Sequence, residues 1–253
     1  VAALAQDSVV VFIDMLGFAD VTRRMFRVAP RRAKPSRSTP RPSPYDVYKA
    51  FHTLIRISIR TAQRNRVTPS PITAAIFSDS VFVVFDDVDA AVAFARDAMR
   101  AALERPIPVR IGIGAGAVLR FNFTVEAFPT SDVILNAPFM GTGIVHACLA
   151  ERSGKGLRIF VHPSASRLLS GDDLNLLPLP LKEAGKDAVH EVNYARNAIK
   201  LADGSLIADH PKVKQIDVLA KQAPRQARMH YSKTLAAITR MNSVRLLQAR
   251  NRN

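Results

Sequence analysis

Residues 9–18 read VVVFIDMLGF. The run from Val9 to Ile13 is apolar and mostly β-branched, which suits a pleated, buried strand. It stops at a carboxylate, Asp14, and Gly17 then lets the chain turn toward a helical pattern that begins near Ala19. An aspartate at a strand end can be a simple turn residue. What changes its weight is a second one in the same setting. Residues 72–85, ITAAIFSDSVFVVF, read as two strands folded around a tight turn at Ser78-Asp79-Ser80. Two carboxylates on neighbouring strands can hold one or two divalent cations, with water, carbonyls and phosphate oxygens completing the shell. The turn Met15-Leu16-Gly17-Phe18 offers backbone N–H groups ahead of a helix, where phosphates are favoured.

Outward from these two stretches the pattern alternates between strand and helix. Tyr45 to Arg64 has apolar residues at helical spacing, and Val88 to Leu103 is an alanine-rich amphipathic helix. Val109 to Leu119 (VRIGIGAGAVL) is a strand whose glycines invite close approach of another backbone or a ligand. Gly141 to Arg152 is a helix entered from a glycine turn. Leu157 to His162 is a short strand, and Pro163 to Leu169 a helical turn. Leu177 to Tyr194 reads as a closing hairpin. This order implies an α/β fold, an α+β sandwich with a mixed, mostly antiparallel sheet flanked by helices. The catalytic domain is expected over 1–194, with a proline- and arginine-rich insertion at 30–44. Residues 195–253 are expected to form a basic, partly helical appendage.

The chain has 253 residues, 48% of them hydrophobic, and a net charge of +15. The charge is concentrated: 23–41 holds eight Lys/Arg and no acid, and 196–253 holds twelve against three Asp. Such stretches suit a polyanion partner, nucleic acid or ligand phosphates. No RNA-binding motif or zinc finger accompanies them, so nucleic-acid binding is possible but not favoured. The single cysteine, Cys148, excludes an intrachain disulfide framework and fits a reducing, cytoplasmic setting. No apolar run has the ~20 residues of a membrane span, and the first residues read as a strand rather than a signal peptide. The six histidines lack metal-binding spacing.

The joint pattern resembles the class III nucleotide cyclases. FIDMLGF is similar to their first signature, FSDSVFVVF to the hairpin signature, and Val109 to Gly116 to the Arg-x-Gly-Ile strand. Gly141 to Glu151 resembles the glycine-led helix with a small residue, Ala147, and a terminal acid. LKEAGKDAVHEVNY resembles the final lysine-containing hairpin. The resemblance implies that Asp14 and Asp79, helped by the Met15 carbonyl, coordinate two Mn²⁺ or Mg²⁺ ions. It implies that Leu16, Gly17 and Phe18 cradle phosphate, that Arg110 contacts phosphate, and that Lys182 reaches the terminal phosphates from a partner chain. A homodimer with two interfacial sites follows.

The departures concern the base. Ala75 stands where purine cyclases carry a base-reading residue, and Pro138, or Asn136 in a shifted loop, stands at the second such position. Neither an alanine nor a proline side chain hydrogen-bonds a purine edge. Val145 and Leu149 stand where the family places an Asn and an Arg, and Arg152 or His146 are the nearby substitutes. A diguanylate cyclase is excluded by the missing Gly-Gly-acid hairpin. The combination resembles the pyrimidine cyclases of bacterial Pycsar anti-phage systems. It implies conversion of UTP to cyclic UMP as a defence signal. Cyclic CMP synthesis, an adenylate cyclase with atypical base recognition, and a degenerate nucleotide-binding or dimerisation module are the alternatives.

Overall fold

A computed structural model describes residues 6–18, 44–64, 72–105, 107–120, 139–169, 176–179, 187–188, 190–194, 216–218, 220–221 and 225–250. Strand β1 is Gln6–Met15, helix α1 Pro44–Arg64, β2 Thr73–Ile76 and β3 Ser80–Phe85. Then come α2 Val88–Glu104, β4 Val109–Arg120, β5 Phe139–Met140 and α3 Thr142–Arg152. The chain continues through β6 Ile159–Val161, α4 Pro163–Ser166, β7 Leu176–Pro178, β8 His190–Val192 and α5 Arg225–Arg250. The sheet runs β2-β3-β1-β4-β6-β8-β7, and β5 pairs with the end of β4. Every pairing is antiparallel except β4 with β6. The mixed, mostly antiparallel sheet expected from the sequence is therefore present.

Period-two alternation in β1 gives the sheet two different faces. Val9, Val11, Ile13 and Met15 point into the larger core, with Phe51, Leu54 and Ile55 of α1 and the alanine-rich side of α2. Asp87 starts α2 by accepting the Ala90 N–H at 2.7 Å, an N-cap that satisfies one otherwise unpaired donor. Val10 and Phe12 point the other way and pack with Val84, Val118 and α3 residue Ala147.

That second face is covered by backbone as much as by side chain. A Cβ on Gly112 would lie 2.1 Å from the Ala147 carbonyl oxygen, and one on Gly114 would lie 2.3 Å from the Ala147 nitrogen. The glycines in β4 thus let α3 lie directly on the strand. Of the two expectations for them, approach of a backbone is the one realised.

Helix α5 joins the same fold. Tyr231, Ala237, Ile238 and Met241 belong to the larger core, although the composition of their segment reads as an appendage. Arg158 and Arg240 converge on the fully buried Glu191. Among the described residues, no helix is long and apolar enough to cross a membrane. The insertion at 30–43, the helix expected from Ala19, and the turn of the last hairpin, with Lys182, lie outside the described residues.

Candidate active site

Asp14 is the last side chain that β1 presents on the α3 face. Register places it directly opposite Ser80 of β3 on one side and Arg110 of β4 on the other. Directly opposed residues in antiparallel strands have Cβ atoms ~5 Å apart. Asp79 immediately precedes Ser80 and accepts the Met15 N–H on its own carbonyl at 2.8 Å. The β2–β3 turn is thereby tied to the end of β1, which brings the two aspartates together. The Ser78 hydroxyl donates to Asp79 Oδ1 at 2.9 Å. The ring of His52 on α1 lies 3.3 Å, through Nε2, from the Ser78 carbonyl.

The electrostatics show why the pair matters. Burial pushes the Asp14 carboxyl up to about 7, and the nearby negative charges of Glu151 and Asp79 add to the shift, against Arg110 and Arg152. A carboxylate this costly to ionise is one that a cation would relieve. Among the described residues, no group of three or more His, Cys, Asp or Glu is arranged to hold a metal. The oxygen donors that the structure does bring together here are the carboxylates of Asp14 and Asp79. That composition suits Mg²⁺ or Mn²⁺ rather than a closed, soft-ligand site.

Arg110 is not a loose surface side chain. Its Nε and Nη2 engage Glu151, and its Nη1 donates to the Gly154 carbonyl at 2.9 Å. Glu151 is 2% exposed, and burial pushes its carboxyl up while Arg110 pulls it down. Glu151 is a buried neighbour of Asp14 and Arg110 that the sequence does not single out as a candidate, although it shows a terminal acid on the helix. The signal was there: Gly143, Ala147 and Glu151 recur at a spacing of four on the buried side of α3. An acid at a core-facing position needs a partner, and Arg110 is that partner.

The remaining predicted residues divide. The N–H groups of Met15 and Leu16 are bonded within the fold, to Asp79 and to the Pro108 carbonyl at 2.8 Å each. Two of the four turn amides considered for phosphate are thus already used. Gly17 has φ +82, a left-handed value that glycine adopts freely and that makes the turn possible. Ala75 sits opposite Phe82 on β2 and is 2% exposed. It presents almost no surface within this chain. Arg152 is near enough to lower the Asp14 carboxyl, whereas His146 turns away to the Ala115 carbonyl at 2.8 Å and stacks on His162. Lys182, Asn136 and Pro138 lie outside the described residues.

No protein-family model matches the sequence, and no curated protein matches it. Solved structures do match. The catalytic core of a rhodopsin-guanylyl cyclase with converted specificity, solved with ATPαS, is 19% identical with a TM-score of 0.50. The match covers 74% of this chain and 94% of that one. The dimeric guanylyl cyclase domain of the RhoGC fusion protein from the aquatic fungus Blastocladiella emersonii is 18% identical with a TM-score of 0.52. It covers 75% of this chain and 98% of that one. The adenylyl cyclase CyaB from P. aeruginosa is 14% identical with a TM-score of 0.50, over 79% of this chain and 100% of that one. The chain has the class III nucleotidyl cyclase fold.

Proposed function

We propose that this chain is a metal-dependent pyrimidine nucleotide cyclase. It converts UTP to cyclic UMP and pyrophosphate as a second messenger in bacterial anti-phage defence. The observation that carries the reading is the meeting of Asp14 and Asp79 at one end of β1, in a cyclase fold, with Asp14 held near 7 by burial and negative neighbours.

The two carboxylates, with the Met15 carbonyl, would hold two divalent cations. Bound there, such ions supply charge neutralisation and a more acidic ribose 3′-hydroxyl. The protein's own work is placement. Asp14 and Asp79 fix where the triphosphate sits relative to β1. The turn at Leu16, Gly17 and Phe18 borders its oxygens, with the Leu16 N–H itself kept by the Pro108 carbonyl. Arg110 and Arg152 set positive charge beside the α-phosphate. The 3′-hydroxyl gives up its proton to solvent, its oxygen bonds to the α-phosphorus in line, the bond to the bridging oxygen breaks, and pyrophosphate leaves. Lys182 of a second copy receives the terminal phosphates in a homodimer with two sites.

The choice of a pyrimidine rests on Ala75. Its methyl group is buried and has nothing with which to read a purine edge. Preference for UTP over CTP follows the resemblance alone. A second reading, a silent nucleotide-binding or dimerisation module, draws on one observation: Arg110 is already engaged by Glu151 and Gly154.

Incubation of the protein with each of the four nucleoside triphosphates and Mn²⁺, with products identified by mass, tests the proposal. Cyclic UMP is expected to dominate. Cyclic AMP as the main product would sink the pyrimidine assignment, and no cyclic product from any triphosphate would favour the silent module.

A further inference from the structure

We infer that His230 and Thr234 of α5 are positioning residues for Arg110, acting through the loop of residues 153–157. The inference rests on the cyclase reading for its catalytic consequence, but its geometry stands on this chain alone.

The loop between α3 and β6 is held from two sides. On the sheet side, Arg110 Nη1 donates to the Gly154 carbonyl at 2.9 Å. On the other side, the Gly156 N–H donates to His230 Nδ1 at 3.3 Å, and the Leu157 N–H donates to Thr234 Oγ1 at 2.7 Å. The Thr234 hydroxyl donates in turn to the His230 carbonyl at 2.8 Å. Thr234 is fully buried and Leu157 is 1% exposed, so the bond between them has no water as a ready substitute.

The fit is close at backbone level. Gly156 has φ +103, and a Cβ there would lie 3.0 Å from Thr234 Oγ1 and 3.1 Å from the His230 carbonyl oxygen. A side chain at Gly156 would therefore press on α5. Gly154 is blocked as well, since a Cβ there would lie 2.2 Å from the Phe160 ring. The Leu157 carbonyl accepts the hydroxyl of the fully buried Tyr194 at 2.7 Å. Two bonds from α5, the one from Thr234 buried, and a buried one from Tyr194 thus fix the loop whose carbonyl holds Arg110.

His230 is also close enough to feel the arginine. Burial first, then the charges of Arg110 and Lys155, push its ring toward the neutral form. Only a neutral ring leaves Nδ1 able to accept from Gly156. Arg110 therefore takes its place from two directions. Glu151 holds it from α3, and α5 holds it through the loop.

The test uses the full chain and two readouts. The first is solvent exchange of the Arg110 Nε–H by NMR, the signal being assigned by its absence in Arg110→Lys. The second is kcat with UTP. Thr234→Val removes the acceptor for Leu157 without changing shape. Exchange is expected to accelerate about tenfold, as for one lost hydrogen bond, and kcat to fall by a similar factor while Mn²⁺ affinity holds. Thr234→Ser should restore both. His230→Leu gives the same direction at a less buried position, and His230→Asn, which keeps an acceptor, should rescue it. Ser232→Ala, whose hydroxyl bonds back to the Arg228 carbonyl in α5, should change neither readout. Unchanged Arg110 exchange in Thr234→Val and His230→Leu would overturn the inference. A wild-type protein that forms no cyclic nucleotide would overturn the cyclase reading, while the exchange measurement would still decide the role of α5.

Discussion

The two faces of the central sheet solve the same packing problem by different means. Toward α1 and α2, the strands offer Val9, Val11, Ile13, Val81, Val83, Ile111 and Ile113, and side chains fill the space. Toward α3, β4 offers Arg110, Gly112 and Gly114, and the helix backbone rests almost on the strand. The first face tolerates change of shape, because neighbouring side chains can adjust. Where Gly112 and Gly114 meet α3, no side chain stands between strand and helix to adjust, so those positions are tightly constrained. The candidate site lies on the second face, at the end where glycines give way to Asp14, Arg110 and Glu151. Close backbone packing there carries a buried acid to the sheet and holds Arg110 against it.

The contrast can be broken at several strengths. The largest effect belongs to the carboxylates. Asp79→Ala should reduce cyclic nucleotide formation roughly a thousandfold, the factor that several kcal/mol of lost charge stabilisation gives. It should leave the fold intact, because Asp79 is tied to β1 through its backbone. Retained activity in that variant would remove the metal assignment.

Next comes the glycine-lined face. Gly112→Ala forces a Cβ to within 2.1 Å of the Ala147 carbonyl oxygen. Urea unfolding should show a loss of ~3 kcal/mol or more, the upper range for overpacking. An equal loss in Ile13→Val, on the opposite face, would erase the distinction. That variant should cost only ~1 kcal/mol, as for one deleted methylene in an adaptable core.

A pH test addresses the charge itself. The Asp14 carboxyl rises from 3.8 to about 7 on folding, chiefly by burial. Between those values the folded chain binds the proton more tightly than the unfolded chain. The favourable contribution of the protonated group is thus complete below pH ~4 and is lost as pH rises toward ~7. In metal-free buffer Asp14→Asn should therefore be more stable than wild type at pH 8. The shift sets a ceiling of ~4 kcal/mol, and ~1–2 kcal/mol is expected once water access to the carboxyl is counted. The two should converge near pH 4. A variant less stable than wild type at pH 8 would show that Asp14 makes a stabilising ionic bond instead.

Much of the architecture was legible because its signals are local. The strand around Val9–Ile13, the hairpin at Ser78-Asp79-Ser80 and the glycine-led helix are each written in a few adjacent residues. Asp14 and Asp79 were legible as a pair because both end apolar runs. Glu151 as a site residue was not, because one acid in a helix looks solvated until the helix is seated on β4. The seat of α5 was hidden by its charge. Tyr231, Thr234, Ile238 and Met241 share one helical face, but the basic residues between them made the segment look detached. The ties from α5 to the 153–157 loop join backbone groups to side chains 74 and 77 positions away. No pattern of neighbouring residues announces them.

The central claim is that Asp14 and Asp79 together hold the divalent ions. Electron paramagnetic resonance titration of Mn²⁺, in the presence of a non-cyclisable UTP analogue, tests it on wild type and on the Asp14→Ala/Asp79→Ala double variant. Two tightly bound ions per chain in wild type, both lost in the double variant, are the predicted result. The same Mn²⁺ binding in both proteins would contradict it.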